Sequence, residues 1–309
     1  MKNRFFLWIA FLMALPQMGA LLAQDRDLDT LEHSLLWEIS HPELPANSYL
    51  FGTIHMIDAS KYFLPKGLLS SIDQTNQVVF EIDMRDMNDM STMMSMMSQV
   101  MMNGDTTLKD LLSEEEYGEV QSFFQKKGMP LMFLERMKPL FLSALTSFDE
   151  MPQQSTDMSG TFMMNGMKSY EMELTSIAEA ANKQIGGVET IEFQLSVFDK
   201  ISYREQAQYL LESIRMTDEG MDGMEAITAM YLSQNIEKMA SSMSEDSGGG
   251  TLMETVLLTE RNEKWIPIMA EMMKEQPTLF AVGAGHLGGE KGVIRLLRKA
   301  GYQVQAVQM

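Results

Sequence analysis

The sequence predicts an α/β fold, with a central β-sheet built from strands at both ends of the chain and a largely helical middle. Three observations predict it. Short runs of β-branched and aromatic residues, bounded by turn formers, lie near the start ("SLLWEIS", "NSYLFGTIH", "QVVFEID") and near the end ("TLFAVGAG", "YQVQAVQ"). Most of the residues between them carry apolar positions at three- and four-residue steps, the period of a helix. Two of the apolar runs end in the same way, at a glycine followed three positions later by a histidine.

The elements follow in order. "SLLWEIS" and "NSYLFGTIH" read as two strands joined by the loop "HPELPAN". "LPKGLLSSIDQT" reads as a short helix and "QVVFEID" as a buried strand. Helical patterns run from Asp86 to Ser147, with breaks at Asn103-Gly104 and at Gly128-Met129-Pro130. "SYEMELTSIAEAANK" is a further helix, "QIGGVE" a short strand, and residues 190–240 are helical again. The Gly- and Ser-rich stretch at residues 241–250 reads as a flexible loop. "TERNEKWIPIMAEMMKEQ" is helical, a strand follows, then the helix "GGVIRLLRKAG" and a last strand. The expected organisation is a signal peptide over residues 1–23 and one domain over 24–309, with a helical insert at roughly 84–240.

The chain has 309 residues and 45% hydrophobic content, enough for a substantial core. Lys2 and Arg4 precede an apolar run from Phe5 to Leu15, which Pro16 and Gly19 end before small residues lead to Ala23. This is the layout of a secretory signal peptide. It implies export to the periplasm or the exterior, with no membrane span left after cleavage. There is no cysteine, so disulfides, a cysteine nucleophile, thiolate metal sites and a lipoprotein anchor are all excluded. The formal net charge is −19, and removal of residues 1–23 takes away two positive charges and no acid. Such a chain repels nucleic acid, which excludes it as a partner.

Methionine is unusually abundant, at 33 residues. Met84, Met87, Met90, Met94, Met97 and Met101 recur at helical steps, so one face of a helix is lined with thioethers. A face packed on the core or against a partner is one reading; a groove for apolar peptides and a soft-metal Cu(I) site are the others.

Only four histidines are present. His33 and His41 lie near the first strand and its loop and read as surface residues. His55 and His286 share one context, an apolar strand, a glycine and then the histidine. In an open α/β sheet, ligands bind at the carboxyl ends of the strands. If the two strands are neighbours, the two imidazoles converge. Glu81 ends "VVFEID" and Glu189 ends "QIGGVE", and a buried acid at such a place needs a charged partner. Two histidines and a glutamate form a set that holds a catalytic metal with an open position for water. Spacing alone leaves structural histidines equally open. No G-x-S-x-G elbow, Walker motif or dinucleotide fingerprint is present.

The pieces "YLFGTIHMID", "VVFEID", "KSYEMELTSIAEAANKQIGGVETIEFQLSVFDKI", "LTERNEKWIPIM" and "LFAVGAGHLGGEKGVIRLLRKAGYQV" together resemble the TraB/PrgY/GumN family. That family includes the animal TIKI proteins and is distantly similar to erythromycin esterases. The resemblance covers nearly all of the chain after the signal peptide. It implies one site built from the two G-x-x-H motifs and an acid, with His55, His286 and Glu81 holding a divalent metal (Mn, Co or Zn). Arg261 would stabilise an oxyanion beside Asn262, and the "ETIEFQ" run supplies Glu189 and Gln194, with Glu189 the candidate general base. The implied activity is a TIKI-like metallopeptidase acting on a peptide or extended protein segment. Two alternatives remain: a non-enzymatic protein sequestering a peptide or small ligand in a Met-rich groove, and a haem- or metal-binding protein. TIKI proteins carry a C-terminal membrane segment, whereas here the sequence runs out at "YQVQAVQM".

Overall fold

A computed structural model describes residues 30–146, 166–218, 223–245 and 251–307. The signal peptide expected over residues 1–23 lies outside them. The chain divides into Met1–Leu31 and Glu32–Met309, and the fold is that of the second part.

Eight strands form: β1 (Leu36–Ser40), β2 (Ser48–Thr53), β3 (Ile57–Asp58), β4 (Gln77–Phe80), β5 (Met167–Lys168), β6 (Gln184–Gly187), β7 (Thr278–Gly283) and β8 (Gln303–Ala306). Six make the central sheet in the order β6-β4-β7-β2-β1-β8. The first four in this order, β6, β4, β7 and β2, are mutually parallel, while β1 runs antiparallel to both β2 and β8. The sheet is thus assembled from both ends of the chain, as its strand pattern predicts, with β6 added from the middle. β3 and β5 pair as a separate two-residue ribbon, too short for a periodic signal.

Strands covered on both faces read as continuous apolar runs. Every residue of β2 is buried, as are Val78, Val79 and Phe80 of β4 and Leu279, Phe280, Ala281 and Val282 of β7. The helical middle closes over this core. Tyr231, in the helix Gly223–Leu232, donates its hydroxyl to the Gly52 carbonyl at 3.0 Å, and its ring packs on Tyr170. A buried backbone carbonyl is costly unless it is paired, so this bond fixes the helix over the end of β2.

The predicted breaks in the helical region hold, for a stated reason. Gly104 and Gly128 have φ of 64° and 74°, left-handed values that glycine adopts without a steric penalty. Between them runs the helix Glu114–Lys126, opened by a capping box of Ser113 and Glu116. Two expectations need correction. The helix Ile236–Glu245 extends through residues 241–245, where a loop was expected, and residues 246–250 lie outside the described ones. The methionine face is not packed on the core. In the helix Met90–Gln99, Met90, Met94 and Met97 are exposed, while Met96 and the following Val100 face inward against Ile82, Ile191 and Leu195. The spacing identifies one face correctly, but nothing in it says which face meets solvent. Met84 and Met101 are half-buried, and the Met87 side chain is outside the described ones.

Candidate active site

The carboxyl ends of the four parallel strands deliver the functional side chains to one edge of the sheet. Glu81 follows β4 directly, Glu189 lies just past β6, His55 just past β2, and His286 just past β7. The pairing of Thr53 with Gly283 sets the two G-x-x-H segments side by side. Glycine is required at 52 by close approach: a Cβ there would lie 3.0 Å from both Ala284 Cβ and Leu287 Cδ2.

Glu81 is the centre of the cluster. Its Oε1 accepts the Gly283 N–H at 2.8 Å and stands 3.7 Å from His286 Nε2. Its Oε2 accepts from Arg261 Nη2 at 2.5 Å and from Gln194 Nε2 at 3.1 Å. Burial alone would raise the Glu81 pKa. The electrostatic interaction with His286, the charges of Arg261 and His55 and the Gly283 N–H outweigh it and hold the carboxyl at about 2. Glu81 is therefore ionised at neutral pH.

His286 is 5% exposed, and its ring stacks on Trp265 with centroids 4.4 Å apart. Asn262 fixes its tautomer. The Asn262 Nδ2 group donates to the carbonyls of Lys291 and His286, so its Oδ1 faces His286 Nδ1, at 2.6 Å. Nδ1 must then carry the proton, leaving Nε2 as an acceptor, 3.2 Å from Arg261 Nη1. Burial pushes His286 down to about 3, and Arg261 and His55 add to this against Glu81. The imidazole is neutral at physiological pH.

His55 differs. Its side chain is 77% exposed, and Nδ1 lies 3.1 Å from Glu171 Oε1. Glu171 is held in turn by Thr53 Oγ1 at 3.0 Å and Ser169 Oγ at 2.9 Å. The hydrogen bond and charge of Glu171 raise His55 to about 9, although solvent around so exposed a ring screens the pair. Because the carboxylate accepts the Nδ1 proton, Nε2 faces outward. His55 is near enough to Glu81 and His286 for its charge to act on both.

Arg261 is the hinge of the arrangement. It donates to both oxygens of Glu189, with Nη2 to Oε1 at 2.5 Å and Nε to Oε2 at 3.3 Å, as well as to Glu81. Its Nη1 also reaches the Leu257 carbonyl at 3.0 Å. Leu257 lies in the π-helical turn Thr255–Thr259 that precedes the helix Glu260–Glu275. Such turns disturb the regular backbone ladder, and here a side chain takes up a carbonyl. Glu189 also accepts from Trp265 Nε1 at 3.0 Å and Gln194 Nε2 at 3.1 Å. It is thus the ion-pair partner of Arg261, with both oxygens engaged, rather than a free carboxylate.

The structure accordingly brings together Glu81, Glu189, Gln194, Arg261, Asn262 and His286 by direct contact, with His55 at the open side. His33 is exposed, and His41 stacks on Tyr302 with centroids 5.3 Å apart, away from the cluster's contacts. Sequence reasoning missed Glu171, Ser169, Thr53 and Trp265. Glu171 reads as an ordinary acid in the first turn of the helix Tyr170–Ala180. Only Trp265, one helical turn beyond Arg261, carries a signal in its spacing.

The model of the TraB/PrgY/gumN family matches residues 35–306. The chain belongs to this family. It is similar to "Metalloprotease TIKI2" of Danio rerio, 24% identical over 96% of this chain and 67% of that protein. It is also similar to "Metalloprotease TIKI1" of Danio rerio, 23% identical over 88% of this chain and 63% of that protein, and to "Metalloprotease TIKI1" of Homo sapiens, 24% identical over 88% and 62%. The chain spans about two thirds of the length of these relatives. No solved structure matches it. Among the described residues of this TraB/PrgY/gumN-family chain, no helix is long and apolar enough to cross a membrane.

A metal implied by those relatives can be tested against the residues present. Among the described residues, no three His, Asp or Glu side chains stand together as a ready-made ligand set. The donor chemistry nevertheless fits. Both imidazoles have Nδ1 held by an oxygen, Asn262 Oδ1 in one case and Glu171 in the other, with Nε2 directed away from that bond. An oxygen holding Nδ1 in this way fixes the tautomer and the ring, as it does in metal-ligating histidines. Glu81 is an ionised carboxylate beside them, and Arg261 supplies the positive charge it needs.

Proposed function

We propose that the chain is an exported, metal-dependent hydrolase that cleaves peptide bonds in an extended segment. The observation that carries this reading is the pair of imidazoles with fixed Nδ1 partners, placed with Glu81 at the carboxyl ends of neighbouring parallel strands. The "metalloprotease" names of the relatives agree with it. His55, His286 and Glu81 would hold the ion, Mn, Co or Zn. Bound there, a divalent ion supplies Lewis acidity and lowers the pKa of water.

The protein's own groups do the rest. Asn262 keeps the proton of His286 on Nδ1, and Glu171 does the same for His55. Arg261, already ordered by Glu189 and Glu81, presents a guanidinium that costs no reorganisation when negative charge develops on a carbonyl oxygen. Trp265 walls the buried side against water. Glu189, with both oxygens engaged, orients Arg261 and does not serve as the base.

One observation favours a second reading. Arg261 Nη1 faces His286 Nε2, and Nη2 bonds Glu81. With that contact retained, the site works without metal, with His55 as general base and Glu171 as its orienting acid.

One experiment separates them. Metal content is measured by mass spectrometry on purified protein after loading with Mn²⁺, Co²⁺ or Zn²⁺ and desalting, for wild type, His55→Ala and His286→Ala. Peptide hydrolysis is followed with and without chelator. Retained metal that both variants lose, with chelator-sensitive cleavage, supports the first reading. Chelator-resistant cleavage that His55→Ala abolishes supports the second. No cleavage under any condition sinks both and leaves a ligand-binding role.

A further inference from the structure

The hydrolase reading uses none of the methionines, yet Met90, Met93, Met94 and Met97 stand on one helix and are 68%, 49%, 69% and 66% exposed. The helix Met90–Gln99 carries no charged residue. Four exposed thioethers thus follow one another along an uncharged helix. Scattered exposed apolar residues need no explanation, but a contiguous strip marks a binding surface.

Its position says what it binds. The 3₁₀ turn Met84–Asn88 joins the helix to the end of β4, so the strip starts nine residues past Glu81. The inner face of the helix, through Met96 and Val100, packs on Ile191 and Leu195. Those residues lie on the helix Ile191–Val197, whose Gln194 bonds both Glu81 and Glu189. The strip is therefore tied to the candidate active site through two separate elements. At its foot, Asp86 and Asp89 are exposed acids, and the whole chain carries a formal charge of −19.

We propose that the methionine face of the helix Met90–Gln99 is the docking surface for the apolar side chains of an extended, basic peptide substrate. The inference rests on the peptide-hydrolase reading for the word substrate. Unbranched, polarizable thioethers adapt to side chains of different shape, which suits recognition of an apolar character rather than of one sequence. The acids at the foot of the strip and the net charge favour a cationic ligand.

The test uses the full chain in a His55→Ala background, with binding read by fluorescence anisotropy. The probes are a labelled peptide of alternating leucine and lysine and a serine–lysine peptide of equal length and charge. The Met90→Gln/Met94→Gln/Met97→Gln variant is compared with Met132→Gln/Met216→Gln, which alters exposed methionines elsewhere. Thermal melts confirm that both are folded. The expected result is preference for the leucine peptide, weakened about tenfold or more in the triple variant and unchanged in the control. Equal binding by the triple variant, or no preference between peptides, overturns the proposal. So does sedimentation showing a self-associated chain that the triple variant dissociates, since a second copy is then the occupant. If methionine-dependent binding is found but the wild type cleaves no peptide, the docking surface stands and the hydrolase reading falls.

Discussion

Arg261 holds two carboxylates at once, and each of the three groups is buried. Removing one partner of a buried ion pair leaves the others desolvated and uncompensated. Arg261→Ala is therefore expected to destabilise the fold by about 3–5 kcal/mol, measured by urea denaturation. Arg261→Lys keeps the charge but cannot bond both Glu189 oxygens in parallel, so it should recover stability only in part. Glu171 offers a second test at this scale. Its carboxylate raises the His55 pKa to about 9, so an activity that needs neutral His55 rises with pH along a limb above the ordinary histidine value of 6.5. Glu171→Gln removes the charge, and the limb should move to lower pH. The loss of orientation should also lower the maximal rate by about 10–100-fold. A pH–rate profile that does not move would show that Glu171 has no hold on His55. Both residues show how far the sequence reads at this scale. Glu81 was visible through its place after a strand, and Arg261 through the resemblance alone. Glu171 was not, because its contact with His55 spans 116 positions and has no local periodicity.

At the level of elements, the two G-x-x-H segments depend on how closely the pieces around them pack. Gly288 lies against the helix Ile236–Glu245, and a Cβ there would be 2.4 Å from the Ile236 carbonyl oxygen. The same contact region is tied by the Gly289 N–H to Glu237 Oε2 at 2.8 Å. Gly288→Ala must displace backbone, so a loss of about 1–3 kcal/mol is expected. Because the displaced loop carries His286, metal retention should fall as well; a variant with wild-type melting temperature and metal content would refute this packing argument. The helices and strands themselves were largely legible. Apolar runs gave β2, β4 and β7, and the glycines at 104 and 128 gave the helix breaks. The end of the helix Ile236–Glu245 was not legible, since serines and acids in "SSMSEDSGGG" suit a loop in isolation and a helix once Met239 and Ala240 are buried.

Across the whole molecule, two buried groups make stability depend on acidity. Glu81 is held at about 2 against an ordinary 4.5, and His286 at about 3 against 6.5. Both folded values lie below the unfolded ones, so the unfolded chain takes up protons first as pH falls. The stabilisation is complete above 6.5. It should erode from 6.5 downward through His286, and more steeply below 4.5 as Glu81 joins, until both folded values are passed. Urea midpoints across this range should decline more steeply in wild type than in Glu81→Gln, for which the lower part of the decline is absent. His55 acts with the opposite sign: its raised value favours the folded state below 6.5, and that share is lost as pH rises through about 9.

The sequence by itself determined the α/β class, the strands that enter the sheet, the helical character of the middle and the identity of the residues at the strand ends. These follow from short-range rules: period, β-branching, turn chemistry and glycine placement. Tertiary structure alone decided the rest. It set β7 between β4 and β2, which puts His286 beside Glu81. It made Glu189 the partner of Arg261 and gave His55 its half-buried acid, and it turned the methionine face outward. Strand order, ion pairing and the choice of buried face depend on which distant segments meet, and no local pattern in a chain encodes that.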